Sequence, residues 1–141
     1  MIKSKANVKS EFITGEVITQ ATLIDLIDSV NVPLANAAGH FSTSVPTDAS
    51  NADIFRITAD TSVTIANPTN CPDGKAITWE ITQGAGGSKT ITLDTKFVIP
   101  STATTPLAFS TVAGKTDILA VKYNATADKF MVISMVAGYT L

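Results

Sequence analysis

Gly114-Lys115-Thr116 is the stretch that most resembles a catalytic motif. Gly-Lys-Thr closes a phosphate loop, in which backbone amides cradle phosphates and the lysine reaches the terminal ones. That loop needs a glycine five positions before its Gly-Lys pair, and Phe109 stands there. It must also open a helix, whereas Asp117–Tyr123 has the pattern of a strand. The tripeptide therefore reads as a turn. His40 and Cys71 are the next candidates, each the single residue of its type. A nucleophile needs a base held against it. His40 falls in a Pro- and Gly-containing stretch and Cys71 in the turn-rich loop Pro68–Gly74. Neither has a partner nearby in sequence, so both read as structural or solvated.

The acids Asp48, Asp53, Asp60, Asp73, Asp94, Asp117 and Asp128 are scattered and lack the alternation of a calcium loop. A glycosidase pair is assembled in space, and nothing in the sequence nominates one. Gly84–Gly87 opens no helix and matches no dinucleotide fingerprint. No catalytic, cofactor-binding or metal-ligating residue is predicted, and the chain reads as a non-enzyme.

Binding residues are easier to nominate. Trp79, Tyr123 and Tyr139 could stack on a sugar ring. Trp79 alternates with Ile77 and Ile81, which places it in a core, and Tyr139 is the more exposed candidate. Loop residues Asn70, Asp73, Ser88 and Asn124 join Tyr139 as candidate ligand contacts. Asn124-Ala125-Thr126 matches a glycosylation sequon, but with no signal peptide ahead of it the stretch reads as a hairpin loop.

Composition narrows the partners. The chain has 141 residues, 45% of them hydrophobic and only 16% charged, with a net charge of -2. That balance argues against a nucleic-acid binder held by phosphate contacts. Lys3, Lys5 and Lys9 make the N-terminus only mildly basic. No apolar run approaches the ~18 residues of a membrane span. One cysteine permits no intrachain disulfide, which suits synthesis in a reducing cytoplasm. So low a charge suits a chain packed against copies of itself.

Strands dominate the elements that would position these residues. Ile54–Ile57, Ser62–Ala66, Ile77–Ile81, Thr90–Leu93, Phe97–Ile99, Leu107–Ser110, Asp117–Tyr123 and Lys129–Val136 read as short strands separated by turn signals. Gly84–Ser88 reads as a hairpin tip, and Asn124–Asp128 joins the last pair. In Asp117–Tyr123 the register with Leu119, Val121 and Tyr123 inward keeps Lys122 in water. The last strand is apolar on both faces, which implies burial between sheets or at a subunit interface. The pattern predicts an all-β, antiparallel, jelly-roll-like β-sandwich of about seven or eight strands over residues 51–141. Residues 1–50 read as an extended arm and linker. Within them Thr19–Val30 predicts a short helix, capped by Thr19, with Leu23, Leu26, Ile27 and Val30 on one stripe.

Two stretches carry a family resemblance. Lys9-Ser10-Glu11-Phe12-Ile13-Thr14-Gly15-Glu16-Val17-Ile18-Thr19-Gln20, followed by Leu26-Ile27-Asp28-Ser29, resembles the N-terminal segment of virion appendage proteins from phages of Bacteroidetes hosts. Asn67-Pro68, Asp73-Gly74, Thr78-Trp79, Thr82-Gln83, Gly86-Gly87, Thr90-Ile91, Ala113–Leu119, Tyr123-Asn124 and Lys129-Phe130 resemble a β module of phage tail-fibre, head-fibre and capsid-decoration proteins. The resemblance implies a virion structural protein, usually trimeric, made in the host cytoplasm. It implies partners that are copies of itself and other virion proteins, with a host surface glycan as a further ligand. It also implies an N-terminal anchor, assigned here to Phe12, Ile13, Val17, Leu23, Leu26 and Ile27. No shaft separates arm from module, which favours a compact decoration, collar, minor capsid or short spike protein over a long fibre.

Overall fold

The computed structural model describes residues 35–41, 43–102 and 107–141. The chain divides into two compact units, Met1–Pro33 and Leu34–Leu141. The anchor residues and the expected helix at 19–30 lie outside the described residues.

The described part is all β, with strands β1 (Ala35–Phe41), β2 (Ser44–Val45), β3 (Ile54–Ala59), β4 (Val63–Ile65), β5 (Ala76–Gln83), β6 (Ile91–Leu93), β7 (Phe97–Val98), β8 (Lys115–Asn124) and β9 (Lys129–Thr140). The period-two pattern does what it should. Phe55, Ile57 and Ala59 of β3 and Ile77, Trp79 and Ile81 of β5 are buried, and the residues between them face outward. In β8, Leu119 and Val121 are buried and Lys122 is exposed, the register that keeps the lysine in water.

The pairing differs from the antiparallel expectation. A six-stranded sheet runs β1-β3-β5-β8-β9-β7, and a three-stranded sheet runs β2-β4-β6. The three-stranded sheet is parallel throughout, and in the larger sheet β1-β3, β3-β5 and β7-β9 are parallel too. Only β5-β8 and β8-β9 are antiparallel. The reason lies in how the chain travels. Each pass lays one strand in the large sheet, crosses to the small sheet, and returns. Ala35 then stacks beside Ile54 and Ile54 beside Thr78, while Ser44 stacks beside Thr64 and Val63 beside Ile91. Parallel neighbours need a crossover, and here the other sheet supplies it.

Three local expectations change with this topology. Gly84–Ser88 is no hairpin tip, because β5 and β6 belong to different sheets. Residues 35–50, read as linker, contribute β1, β2 and a bridge from Asp48 to Thr69. Leu107–Ser110 forms no strand; Leu107 and Phe109 instead pack half-buried on the core. The β8-β9 hairpin is antiparallel as expected, and it closes the stack at β5.

One hydrophobic cluster fills the module. An aromatic row crosses it from Phe55 through Trp79, Phe97 and Phe130 to Tyr123, with successive ring centroids between 4.6 and 6.3 Å apart. Thr47 accepts the indole proton of Trp79 at 3.1 Å, so the buried ring leaves no orphan donor.

Candidate functional site

The five nominated ligand residues fall into two groups. Asn70, Asp73 and Asn124 gather at one end, where the β4–β5 loop meets the β8–β9 turn. Asp73 accepts the amide proton of Ala125 at 2.9 Å, and Asn124 accepts that of Ala127 at 2.9 Å. Asn70 adopts a left-handed backbone, φ 52°, a conformation Asn tolerates well. The hydroxyl and amide of Ser50 and the Asn70 side chain hold the Asp48 carboxyl below its ordinary range. These polar groups are engaged in shaping turns and in tying neighbouring loops together.

Beside them lies a cluster the sequence did not single out. Lys96 Nζ sits 2.6 Å from Asp128, and the Tyr123 hydroxyl donates to the same carboxylate at 2.9 Å. The Lys96 ammonium and Tyr123 hydroxyl lower the Asp128 pKa, and the carboxylate in turn raises both of theirs. Asp128, at φ 50°, ends the hairpin turn. Its short polar side chain suits that left-handed position, which was the available signal.

Ser88 and Tyr139 lie toward the other end. Ser88 donates its amide to Thr111, and Tyr139 stands opposite Thr116 in β8. The loop between them and β5 is held by Gln83. That buried side chain donates to the Lys89 carbonyl at 2.9 Å and accepts the Lys89 amide at 3.0 Å. Asp117, wholly buried, accepts from the Ser110 amide at 2.7 Å, the Ser110 hydroxyl at 2.6 Å and the Gly138 amide at 2.9 Å. A carboxylate with three donors is well satisfied. It ties residues 107–110 to the bulge in β9, where Ala137 and Gly138 stand opposite Asp117.

The chemical candidates resolve locally. Gly114 takes φ 73° in a turn, and Lys115 and Thr116 open strand β8 rather than a helix. His40 lies on β1 with its imidazole 2.8 Å from Asp60, largely in solvent. Cys71 is free and half-buried, and burial pushes its thiol pKa up. A raised thiol carries little thiolate at neutral pH. Among the described residues no group of three His, Cys, Asp or Glu is placed to hold a metal.

Two shallow grooves are formed by described residues. One, of about 410 Å³, is lined by Thr47, Asp48, Asn51, Phe55, Asn67 and Thr69. The other, of about 430 Å³, runs beside β9 and is lined by Pro100, Leu107, Val132, Ile133 and Met135 among others.

No protein-family model matches the chain, and neither a curated protein nor a solved structure matches it.

Proposed function

We propose that this protein is an oligomeric structural component of a bacteriophage virion. The arm bearing Phe12, Ile13, Val17, Leu23, Leu26 and Ile27 attaches it to the particle. The sandwich-like β module is displayed as decoration, minor capsid or short spike protein, and the assembly is trimeric in keeping with the resemblance. One structural observation supports the reading beside that resemblance. The chain enters the module at β1, the edge of the large sheet, whereas the β8-β9 hairpin closes the parallel stack beyond β5. A module entered at one edge of its large sheet suits being held there and displayed. The polar loop residues Asn70, Asp73 and Asn124 are instead engaged in securing turns and loop-to-loop contacts.

Deleting residues 1–30 and counting copies in purified particles by mass spectrometry tests the reading. The truncated chain is expected to keep its β circular-dichroism spectrum and to be missing from particles. Incorporation at the normal copy number would overturn the anchor.

A second reading, a carbohydrate-binding module used in host attachment, draws on the groove at Asp48, Asn51 and Asn67 beside Phe55. Carboxylate and amide groups converging on one groove suit sugar hydroxyls. A glycan array without signal for the full-length oligomer counts against it.

A further inference from the structure

Strand β9 was expected to be buried on both faces, between sheets or at a subunit interface. Within this module it is not buried between sheets. Phe130 and Val132 reach the core, but Met131, Ile133, Val136 and Tyr139 are exposed, Ile133 to 62%. Alternation turns Met131 and Ile133 outward, and the bulge between Ala120 and Val121, where β9 carries one extra residue, keeps Ser134 and Val136 on that outer face as well. Beyond Met131 the strand pairs with β8 alone among the described strands, since β7 reaches only Phe130 and Met131. Among the described strands, that leaves one edge of β9 unpaired beside the groove at Pro100 and Leu107.

The outer face of the large sheet changes character across its strands. One row runs Arg56–Glu80–Ile118–Val136, from an ion pair at 2.7 Å into two aliphatic side chains. From Phe130 to Leu141 the sequence carries no charged side chain. Natural sheets guard long edges with charges, prolines or short strands. Here the longest strand is the least guarded.

We propose that Met131–Leu141 is a docking surface for a second copy of this chain, strip against strip. This deepens the oligomeric reading above and rests on it. Charge selects the occupant. An uncharged apolar strip offers no counter-charge to an acidic or basic partner, and depletion of charge marks the centre of protein interfaces. A second copy brings the same strip, so no ion is buried. The margins carry Lys115 and Lys122, for which no ion pair is found among the described residues. Apposed copies bring these like charges together, so association strengthens with salt as screening rises. The size fits a reversible contact. Eleven extended residues span about 36 Å; their outward face, roughly 10 Å wide, covers on the order of 360 Å² per copy, short of the ~800 Å² per partner of a standard stable complex.

Sedimentation of the full-length chain over a dilution series tests the proposal. Wild type is expected to self-associate reversibly, more tightly at high salt. The double substitution Ile133→Lys with Val136→Lys is expected to weaken association about tenfold or more, with thermal unfolding unchanged because neither side chain lies in the core. As a second readout, Ser134→Cys in a Cys71→Ser background is expected to form an interchain disulfide on oxidation, and Thr126→Cys on the hairpin turn is not. A wild type that stays monomeric, a double variant that associates equally, or no preference for cross-linking at Ser134 would each overturn it. So would loss of association only when Leu26 and Ile27 of the arm are changed to Asp. Particle incorporation is scored separately, so a chain that self-associates through β9 but is missing from virions sinks the virion reading alone.

Discussion

The rings of Trp79 and Phe97 lie 5.8 Å apart, although β8 and β9 separate their strands in the sheet. The sheet must therefore curl until its third and last strands meet across the interior. β7 can reach that position because it follows β6 of the small sheet after only three residues. The contact joins the parallel stack to the hairpin that closes it.

Removing the ring should open both. Trp79→Ala is expected to cost about 3–5 kcal/mol, enough to leave many small domains unfolded at room temperature. The milder Thr47→Val keeps the shape and deletes the acceptor of the indole proton. A buried donor without a partner costs about 1–3 kcal/mol. Urea titration followed by far-UV circular dichroism measures both, and an unchanged midpoint for Thr47→Val would show that the bond contributes nothing net.

Two adjacent residues should respond in opposite directions. At Gly87, with φ 59°, a Cβ would collide with the Thr111 carbonyl and stand 2.8 Å from the Ala113 amide nitrogen. Both are backbone atoms and cannot swing away, so Gly87→Ala is expected to destabilise by about 2 kcal/mol or more. Ser88 holds φ 57° with a Cβ in place. Ser88→Gly relieves that conformation, and about 1 kcal/mol of stabilisation is expected. Differential scanning calorimetry decides the signs, and a drop in Tm for Ser88→Gly refutes the second expectation.

How much of this was legible in the sequence can be judged residue by residue. Ile77-Thr78-Trp79-Glu80-Ile81 announced a half-buried strand, and Leu119, Val121 and Lys122 announced their register, because alternation is a local signal. The partner of a strand is not. Nothing in Val63–Ile65 or Ile91–Leu93 states that they lie side by side, and a glycine loop at 84–88 looks the same whether it turns a hairpin or crosses between sheets. Ala35–Val45 escaped notice because small residues carry little hydrophobic pattern. At the candidate site, Asn70, Asp73 and Asn124 were legible as turn residues. Their convergence, and the Lys96–Asp128–Tyr123 cluster, depend on contacts between distant loops.

That cluster gives the module a pH signature. The Asp128 pKa is lowered by the Lys96 ammonium and the Tyr123 hydroxyl. A carboxyl depressed on folding contributes stability above its unfolded value, about 3.9, and loses it as pH falls through the lowered folded value. The Tyr123 and Lys96 pKa values are raised, chiefly by Asp128. Their contribution holds below their unfolded values, about 10, and fades as pH rises through the folded ones. Asp128→Asn keeps a residue that tolerates φ 50° and removes the charge. Its unfolding midpoint is expected to fall below wild type at neutral pH and to converge with it toward pH 2. Parallel curves for the two proteins would show that the cluster is electrostatically inert.

Asp117 offers the sharpest structural test, because one carboxylate serves two segments. It takes both donors of Ser110 and the amide of Gly138. Asp117→Ala leaves these donors without that acceptor beside the β9 bulge, and a loss of about 3 kcal/mol is expected. Asp117→Asn keeps the volume but turns part of the acceptor into a donor facing other donors, so it should recover little. The damage should also be local. Hydrogen exchange is expected to rise first at Ser110 and Gly138, and last at Ile77 and Leu119 in the core. If exchange rose uniformly, Asp117 would support the whole module rather than pinning residues 107–110 to β9.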